Sequence, residues 1–478
     1  MPNPHADHFY IDGSWRPSST PDRLPVVDPA SEEVFGAVAA GGEADVALAV
    51  AAARRAFPAF SSTPVAERIA LLTRVGDLIE RRAGLFADAM VREMGVAIGF
   101  AAAAQVPFGV AHVRVAADVL RRFSFIARHG TTATVKEPIG VCALITPWNW
   151  PLYQITAKVA PAIAAGCTIV LKPSELSPFS ALLFAEVMHD AGVPPGVFNL
   201  VNGTGAVVGA ALSAHPDVDM VSITGSTRAG VLVAQAADPT VKRVVQELGG
   251  KSPNVFLEDA DFAASVGKGV LAAFRNVGQS CSAPTRMLVP AARLAEVEAL
   301  AAAAAAQIVV GDPRRPETTL GPIANGAQFE RVQAMIRSGL DEGAKLVCGG
   351  LGRPASLNRG FYAKPTVFSD VDPGMRIARE EIFGPVLSVI PYRDEEDALR
   401  IANDTVYGLG AHVQSRDLDR ARRFAGRIRA GQVHINGPAW DGEAAFGGYK
   451  RSGNGREYGA FGLEEYLETK SILGYGAP

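Results

Sequence analysis

The sequence predicts an α/β protein: a doubly wound parallel sheet, then a second α/β domain, with a small β element besides. Three observations carry this. Between residues 140 and 250, short β-branched apolar runs alternate with helical stretches, the pattern of βαβ units. A second series of the same kind begins near Lys251. Two strand-like segments, 124–140 and 466–475, belong to neither series.

Taken in order, residues 43–57 and 64–93 read as helices, rich in Ala, Leu, Arg and Glu with apolar residues at helical spacing. Pro58 is expected to end the first, and Thr63 or Ser62 to cap the second. The run VCALIT (141–146) ends at Pro147, and a helix is expected near 152–165. TIVLK (168–172), VFNLVN (197–202), MVSIT (220–224) and RVVQEL (243–248) are the next four strands, with helices at 179–191, 207–213 and after Gly225. A doubly wound sheet takes its ligand at the carboxyl ends of its strands. Asn149, Lys172, Glu175, Gly225 and Glu247 all fall at such ends. The second series contributes VFLE, a helix over 261–274, RMLVP, a helix over 291–309, VFS, VLSVIPY and HVQS. The segment 124–140 alternates like a protruding hairpin, and the tail 466–475 has strand character; such free edges invite pairing with another subunit.

The 478 residues suffice for two or three domains with an ample core. A net charge of −3 lacks the basic footprint that a nucleic-acid backbone demands. Four scattered cysteines (Cys142, Cys167, Cys281, Cys348) form no CxxC or Cys/His cluster, so no metal site is expected and a reduced, cytoplasmic setting fits. The N-terminus has no basic stretch followed by an apolar run, so no signal peptide is expected. The longest apolar runs, such as 301–306, are too short for a bilayer, and no membrane association is expected.

A few residues have the chemistry of a site. Cys281, in FRNVGQSCSAPTR, sits where a helix gives way to a loop, the exposure a thiolate nucleophile needs; a lone cysteine is otherwise a small buried hydrophobe. Glu247, in QELGGKSP, ends a strand before two glycines and can serve as a general base, or be a surface carboxylate. Asn149, in TPWNWP, can donate to an oxyanion or hold a turn. Lys172 and Glu175, in KPSE, suit a ribose diol or form a solvated pair. GTGAVVG (203–209) has one residue too many for a dinucleotide fingerprint, whereas ITGST places Gly225 and Ser226 at a helix N-terminus suited to a pyrophosphate.

Together, TPWNWP, LKPSE, TGS, ELGGKSP, GQSCSAPTR, EEIFGPV, HINGP and FGGYKRSGNGRE stand in the order found in the aldehyde dehydrogenase superfamily, which the chain resembles over nearly its whole length. Cys281 follows Glu247 by 281 − 247 = 34 residues, as the family's nucleophile follows its base. The resemblance implies an NAD-binding domain (1–123 and 141–248), a catalytic domain (249–447) and an oligomerisation element (124–140 and 460–478). It implies that Cys281 attacks the aldehyde, that Asn149 and the Cys281 N–H hold the oxyanion, and that Glu247 hydrolyses the resulting thioester. Lys172 would serve both the catalytic and the cofactor sites. Thr146, Pro147, Trp148, Ser174, Glu175, Gly205, Gly225, Ser226, Leu248, Glu381 and Phe383 would complete the cofactor site. Glu175 favours NAD over NADP because it repels a 2′-phosphate. Glu457 matches a second carboxylate with a proton-relay role.

Tyr153, Gln154, Ala157, Arg275, Trp440 and Phe446 match substrate-tunnel positions. FRN-x-GQ-x-C resembles succinic semialdehyde dehydrogenases, where an Arg at position 275 binds the distal carboxylate; the second Arg of that clamp is replaced by Ala157. Arg275 is therefore either a carboxylate ligand or a salt-bridged helix residue. Partners implied are an aldehyde and further copies of the chain, as homodimer or homotetramer. The competing readings are an esterase or thiol acyl-transferase using the same cysteine, and an inactive structural protein of the crystallin type.

Overall fold

The computed structural model describes residues 3–476; the ends of the expected domain ranges, 1–2 and 477–478, lie outside them. Five parallel strands form the core of the first, eight-stranded sheet: Val141–Ile145, Thr168–Lys172, Phe198–Leu200, Met220–Thr224 and Arg243–Glu247. Numbered in chain order, they lie side by side as 3-2-1-4-5. The winding therefore reverses between Val141–Ile145 and Met220–Thr224, which opens a crevice at their carboxyl ends.

The strands are apolar throughout because helices cover both faces. Alternate residues serve opposite layers: Val141, Ala143 and Ile145 pack with helix Glu43–Ser61, while Cys142 and Leu144 pack with helices Pro151–Ala165 and Pro178–Asp190. Two antiparallel additions flank this core, the hairpin His8–Ile11/Ser14–Pro17 at one edge and Gly453–Asn454 at the other. The hairpin turns on Asp12-Gly13, both at positive φ (55° and 74°), a sequence signal for a tight β-turn.

The helices differ from expectation at their ends. The first does not stop at Pro58 but runs Glu43–Ser61. Pro58 is exposed in the last turn, where water replaces the missing bond, and buried Phe60 anchors the residues beyond it. The stretch 64–93 is two helices, Val65–Arg81 and Ala83–Met94, broken at Arg82. Neither Ser62 nor Thr63 caps it: Pro64 holds the cap position, and the Ser62 hydroxyl donates backwards to the Ala59 carbonyl. The helix expected over 207–213 starts as a π turn at Gly205–Gly209 before Ala210–Ala214.

Helix Val106–Arg122, with the turns before it, makes a helical segment Ile98–Arg122 that is long and apolar enough to cross a membrane, longer than the runs weighed from sequence. It lies against helices Val65–Arg81 and Pro151–Ala165, so its apolar face serves the core.

The second sheet has seven strands, ordered Lys345–Cys348, Thr366–Ser369, Val386–Tyr392, Arg286–Pro290, Pro253–Phe256, Gly410–Gln414 and Gln432–Ile435; only the first is antiparallel. The two detached segments join each other: Leu467–Ile472 pairs with Thr132–Pro138, which pairs with Ile126–His129. Ile126–His129 is exposed along its whole length.

Candidate active site

Beyond Val141–Ile145 the chain passes through Thr146, Pro147, Trp148 and Asn149 into helix Pro151–Ala165, with Pro151 at a position where its missing N–H costs nothing. Asn149 is 3 % exposed, and its Nδ2 donates to the Gln279 carbonyl at 2.8 Å. Gln279 stands two residues before Cys281, so this bond ties the turn after strand Val141–Ile145 to the cysteine loop. The Asn149 carbonyl accepts from Asn276 Nδ2 at 2.8 Å and Gln105 Nε2 at 3.4 Å, and Gln105 also donates to Asn276 Oδ1 at 3.0 Å. Trp150 Nε1 donates to Ser280 Oγ at 2.9 Å.

This amide network holds a strained turn. Asn276 and Val277 have φ of 53° and 61°, and Gly278 is also at positive φ. A Cβ on Gly278 would sit 2.1 Å from the Gly384 carbonyl, so the turn requires glycine there. Left-handed backbone at a β-branched residue costs on the order of 1–3 kcal/mol and persists only where its surroundings hold it.

Opposite stands Glu247, the last residue of strand Arg243–Glu247. It is 2 % exposed and neither carboxylate oxygen has a hydrogen-bond partner. Burial, with the Glu457 charge adding, pushes its carboxyl well above the usual range; Lys158 and Arg456 oppose this. A Cβ on Gly447 would come within 2.7 Å of Glu247 Oε1, so the glycine leaves the carboxylate its room. Glu457 is also buried; its Oε1 accepts from Lys158 Nζ at 2.6 Å while Oε2 has no partner. Lys158 donates as well to Ser222 Oγ at 2.9 Å.

Cys281 is partly exposed. Burial, then the nearby Glu381 and Glu247 carboxylates, push its thiol up to about 12, against a hydrogen bond from the Ser282 N–H. The resting thiol is protonated, and attack on a carbonyl requires a base to take that proton. Tyr153, Ala157, Leu409, Phe446 and Tyr458 pack around Cys281. Trp440 lies 5.2 Å from Phe108 and is 39 % exposed, placing it where the aromatic lining meets solvent. Gln154 is buried on helix Pro151–Ala165, and its Oε1 has no hydrogen-bond partner among the described residues.

Arg275 has no salt bridge among the described residues. It is exposed, and its guanidinium lies 5.3 Å from the ring centre of Phe100 and 5.9 Å from that of Phe108.

The remaining candidate residues stand at or just beyond the carboxyl ends of the first sheet's strands. Lys172, 3 % exposed, donates to Glu175 Oε2 at 2.9 Å, and Thr146 N–H donates to the Lys172 carbonyl. Ser174 Oγ accepts from Leu176 N–H. Gly205 is exposed at the start of its π turn. Gly225 N–H donates to the Glu247 carbonyl, and exposed Ser226 caps helix Thr227–Ala237 by accepting from Ala229 N–H at 3.2 Å. Leu248 turns its side chain onto Gly230 of that helix instead of the crevice floor.

From the second domain, Glu381 Oε1 accepts from Gly250 N–H at 3.1 Å, and burial pushes its carboxyl up to about 7. Phe383, at φ 59°, sets its ring edge-on to Trp148 at 5.4 Å.

Gln105, Asn276, Gln279 and Lys158 were not singled out from sequence as parts of the site. The string FRN-x-GQ-x-C held the signal for two of them, since Asn is a residue that tolerates left-handed backbone.

The aldehyde dehydrogenase family matches residues 15–472 of the chain. The chain is 55 % identical over 468 residues to a 3-succinoylsemialdehyde-pyridine dehydrogenase of a Pseudomonas species, covering 98 % of each. It is 65 % identical, with a TM-score of 0.99 over 100 % of this chain and 99 % of the other, to a cysteine-to-alanine mutant of aldehyde dehydrogenase C from Pseudomonas syringae solved with NAD+ and octanal. It is 40 % identical, with a TM-score of 0.95 over 98 % of each chain, to a Mycobacterium tuberculosis aldehyde dehydrogenase complexed with NAD+. With the family matched over nearly its whole length, the chain belongs to the aldehyde dehydrogenase family.

Proposed function

We propose that this enzyme oxidises uncharged, largely apolar aldehydes to carboxylic acids with NAD+, through a thioester on Cys281. The observation that carries the reading is the placement of Cys281 between a fixed amide donor, Asn149, and an unpartnered buried carboxylate, Glu247.

The crevice fits a dinucleotide. It offers half-buried Gly225 and exposed Ser226 at the N-terminus of an 11-residue helix, a cradle for phosphate, and the Lys172–Glu175 pair for a ribose. Glu381 and Phe383 come from the side of the second sheet, Phe383 set against Trp148 from the first. Thr146, Pro147, Ser174 and Gly205 line it, Leu248 acting through the helix it supports. Glu175 disfavours a 2′-phosphate, so NAD is the better ligand than NADP. When bound, NAD+ supplies the acceptor for the aldehyde hydride.

Glu247 takes the thiol proton, and the Cys281 sulfur bonds to the aldehyde carbon. Asn149 Nδ2 and the Cys281 N–H bind the oxygen as it becomes negative. Loss of hydride leaves the thioester. Glu247 sheds the thiol proton to solvent before it removes a proton from water; the C–S bond then breaks, the water proton passes to the sulfur, and the acid leaves with the thiol restored. Glu457, beside Glu247 and paired with Lys158, is the next group in line for the proton.

Tyr153, Ala157, Trp440 and Phe446 give the approach to Cys281 an aromatic and apolar character. The Pseudomonas syringae relative holds octanal, a neutral and apolar aldehyde. One observation supports a second substrate reading: the exposed Arg275 has only aromatic partners, leaving its charge for a distal carboxylate.

The domain ranges stated above, with the three-stranded sheet as a homo-oligomer contact, follow from the same family reading and the exposed strand Ile126–His129. Four free cysteines support a reducing, cytoplasmic setting.

The test is NADH formation by the purified protein across neutral aliphatic aldehydes, aromatic aldehydes and semialdehydes of increasing length, with the acid product assayed. One acid per NADH, with neutral aldehydes preferred, is expected. Preference for semialdehydes would transfer the reading to Arg275. Ester cleavage or acyl transfer without NADH, or no reaction at all, would overturn it.

A further inference from the structure

The wall of the tunnel is not wholly apolar. Tyr153, on helix Pro151–Ala165, and Tyr458, three hundred residues away in sequence, bring their hydroxyls together in a hydrogen bond beside Cys281. Two hydroxyls have two hydrogens, and this bond uses one. The other has no acceptor among the described residues. His112, on helix Val106–Arg122, is 4 % exposed and sits against both phenols, its ring centre 4.4 Å from each. Its Nε2 has no hydrogen-bond partner. Buried polar groups are nearly always satisfied, by protein or by something bound, because an orphan costs roughly 1–3 kcal/mol.

A small cavity, about 20 Å³, opens between His112, Ala157 and Tyr458. That is the room of one water molecule or one carbonyl oxygen.

The electrostatics select against charge. Burial holds the His112 imidazole neutral, down to about 3, and keeps both phenols protonated. The nearby Glu457 carboxylate repels an anion. Arg275 lies over the Phe100 and Phe108 rings instead.

We propose that Tyr153, Tyr458 and His112 form a specificity subsite for an uncharged hydrogen-bond acceptor, a second carbonyl carried by the aldehyde a few carbons from its reacting end. The subsite rests on the proposed function, and it distinguishes oxo-aldehydes from plain alkanals at the same cysteine. Either Tyr153 donates to Tyr458 and the Tyr458 hydrogen is free, or Tyr458 donates to Tyr153 and the Tyr153 hydrogen is free, so removing either oxygen weakens the subsite.

The experiment measures kcat/KM for NADH formation by the full-length enzyme with octanal and with a γ-oxo aldehyde of equal chain length. The wild-type ratio, γ-oxo aldehyde over octanal, is expected above one. In Tyr458→Phe and His112→Phe, which keep an aromatic ring in place, the ratio is expected to fall about tenfold, chiefly through KM for the γ-oxo aldehyde. That is the size of one neutral hydrogen bond. A wild-type ratio at or below one, or a ratio that stays within about twofold in both variants, would overturn the subsite and leave the cavity to water. Octanal turnover reads folding and the proposed function separately: if wild type oxidises octanal but the ratio does not move, only the subsite fails.

Discussion

The two walls flanking Cys281 are built on opposite principles. On the Asn149 wall, Gln105, Asn149, Asn276 and Gln279 are joined by amide hydrogen bonds around a strained turn, with the buried Gln105 Oε1 unpartnered among the described residues. On the Glu247 wall, both oxygens of Glu247 and one of Glu457 lack partners, though both residues are buried. A donor that must meet an oxyanion at one fixed point gains from rigidity. A carboxylate that must first take a thiol proton and later reach a water gains from being unbound. In the proposed mechanism, the Asn149 wall would serve by position and the Glu247 wall by an altered pKa.

Perturbing each wall in turn tests this contrast. Cys281→Ala, which removes the group between them, should lower turnover on the order of 10⁴-fold or more while NAD binding, measured by calorimetry, persists. Retained turnover would take the nucleophile's role away from Cys281.

On the orphaned wall, Glu247→Gln should cut steady-state turnover by roughly 10²–10⁴-fold. A rapid burst of NADH should remain if the deacylation role dominates; a lost burst would place Glu247 at thiol deprotonation instead. Its pH profile follows from the same burial. The base works as carboxylate, and its pKa is raised, so the rate should fall as pH drops through a value well above the ordinary carboxylate range.

On the partnered wall, Asn149→Ala should lower kcat by roughly 10²–10³-fold with little change in KM, measured by steady-state kinetics. An equal loss in binding would mean Asn149 holds the turn rather than the oxyanion.

Lys158→Met probes the orphaned wall from behind. It leaves Glu457 buried without its cation and should destabilise the fold by about 3–5 kcal/mol in denaturant titration. Losing a cation that lowers the Glu247 pKa should also shift the acid limb to higher pH; an unmoved limb would uncouple the two carboxylates.

The smallest effect is expected at the mouth. Arg275→Leu should change kcat/KM for neutral aldehydes by no more than about threefold, because its partners are rings and cation–π contacts at exposed sites contribute roughly 0.5–1 kcal/mol. A large selective loss with semialdehydes would instead make it the carboxylate ligand.

What could be read from the sequence follows this same division. Residues at strand ends were legible because a parallel sheet puts every carboxyl end on one edge: Lys172, Gly225 and Glu247 needed only the strand pattern to be placed together. The helix boundaries were less legible. Pro58 reads as a stop, but an exposed last turn loses only one bond, and a buried Phe60 outweighs it. The partners of Asn149 were not legible at all, since Gln105 and Asn276 reach it from 44 and 127 residues away.

By itself, then, the sequence determined the alternation of strands and helices, the crevice at the strand ends, and the identity of the groups that face it. Periodicity and local backbone preference are properties of neighbouring residues, and neighbours are what a sequence records. Only the tertiary structure decided that Glu247 and Glu457 share one buried space with Lys158, that Tyr153 meets Tyr458, and that His112 Nε2 lacks a partner among the described residues. Burial and charge proximity are set by which distant segments pack together, and it is these that move a pKa or leave a hydrogen bond unmade.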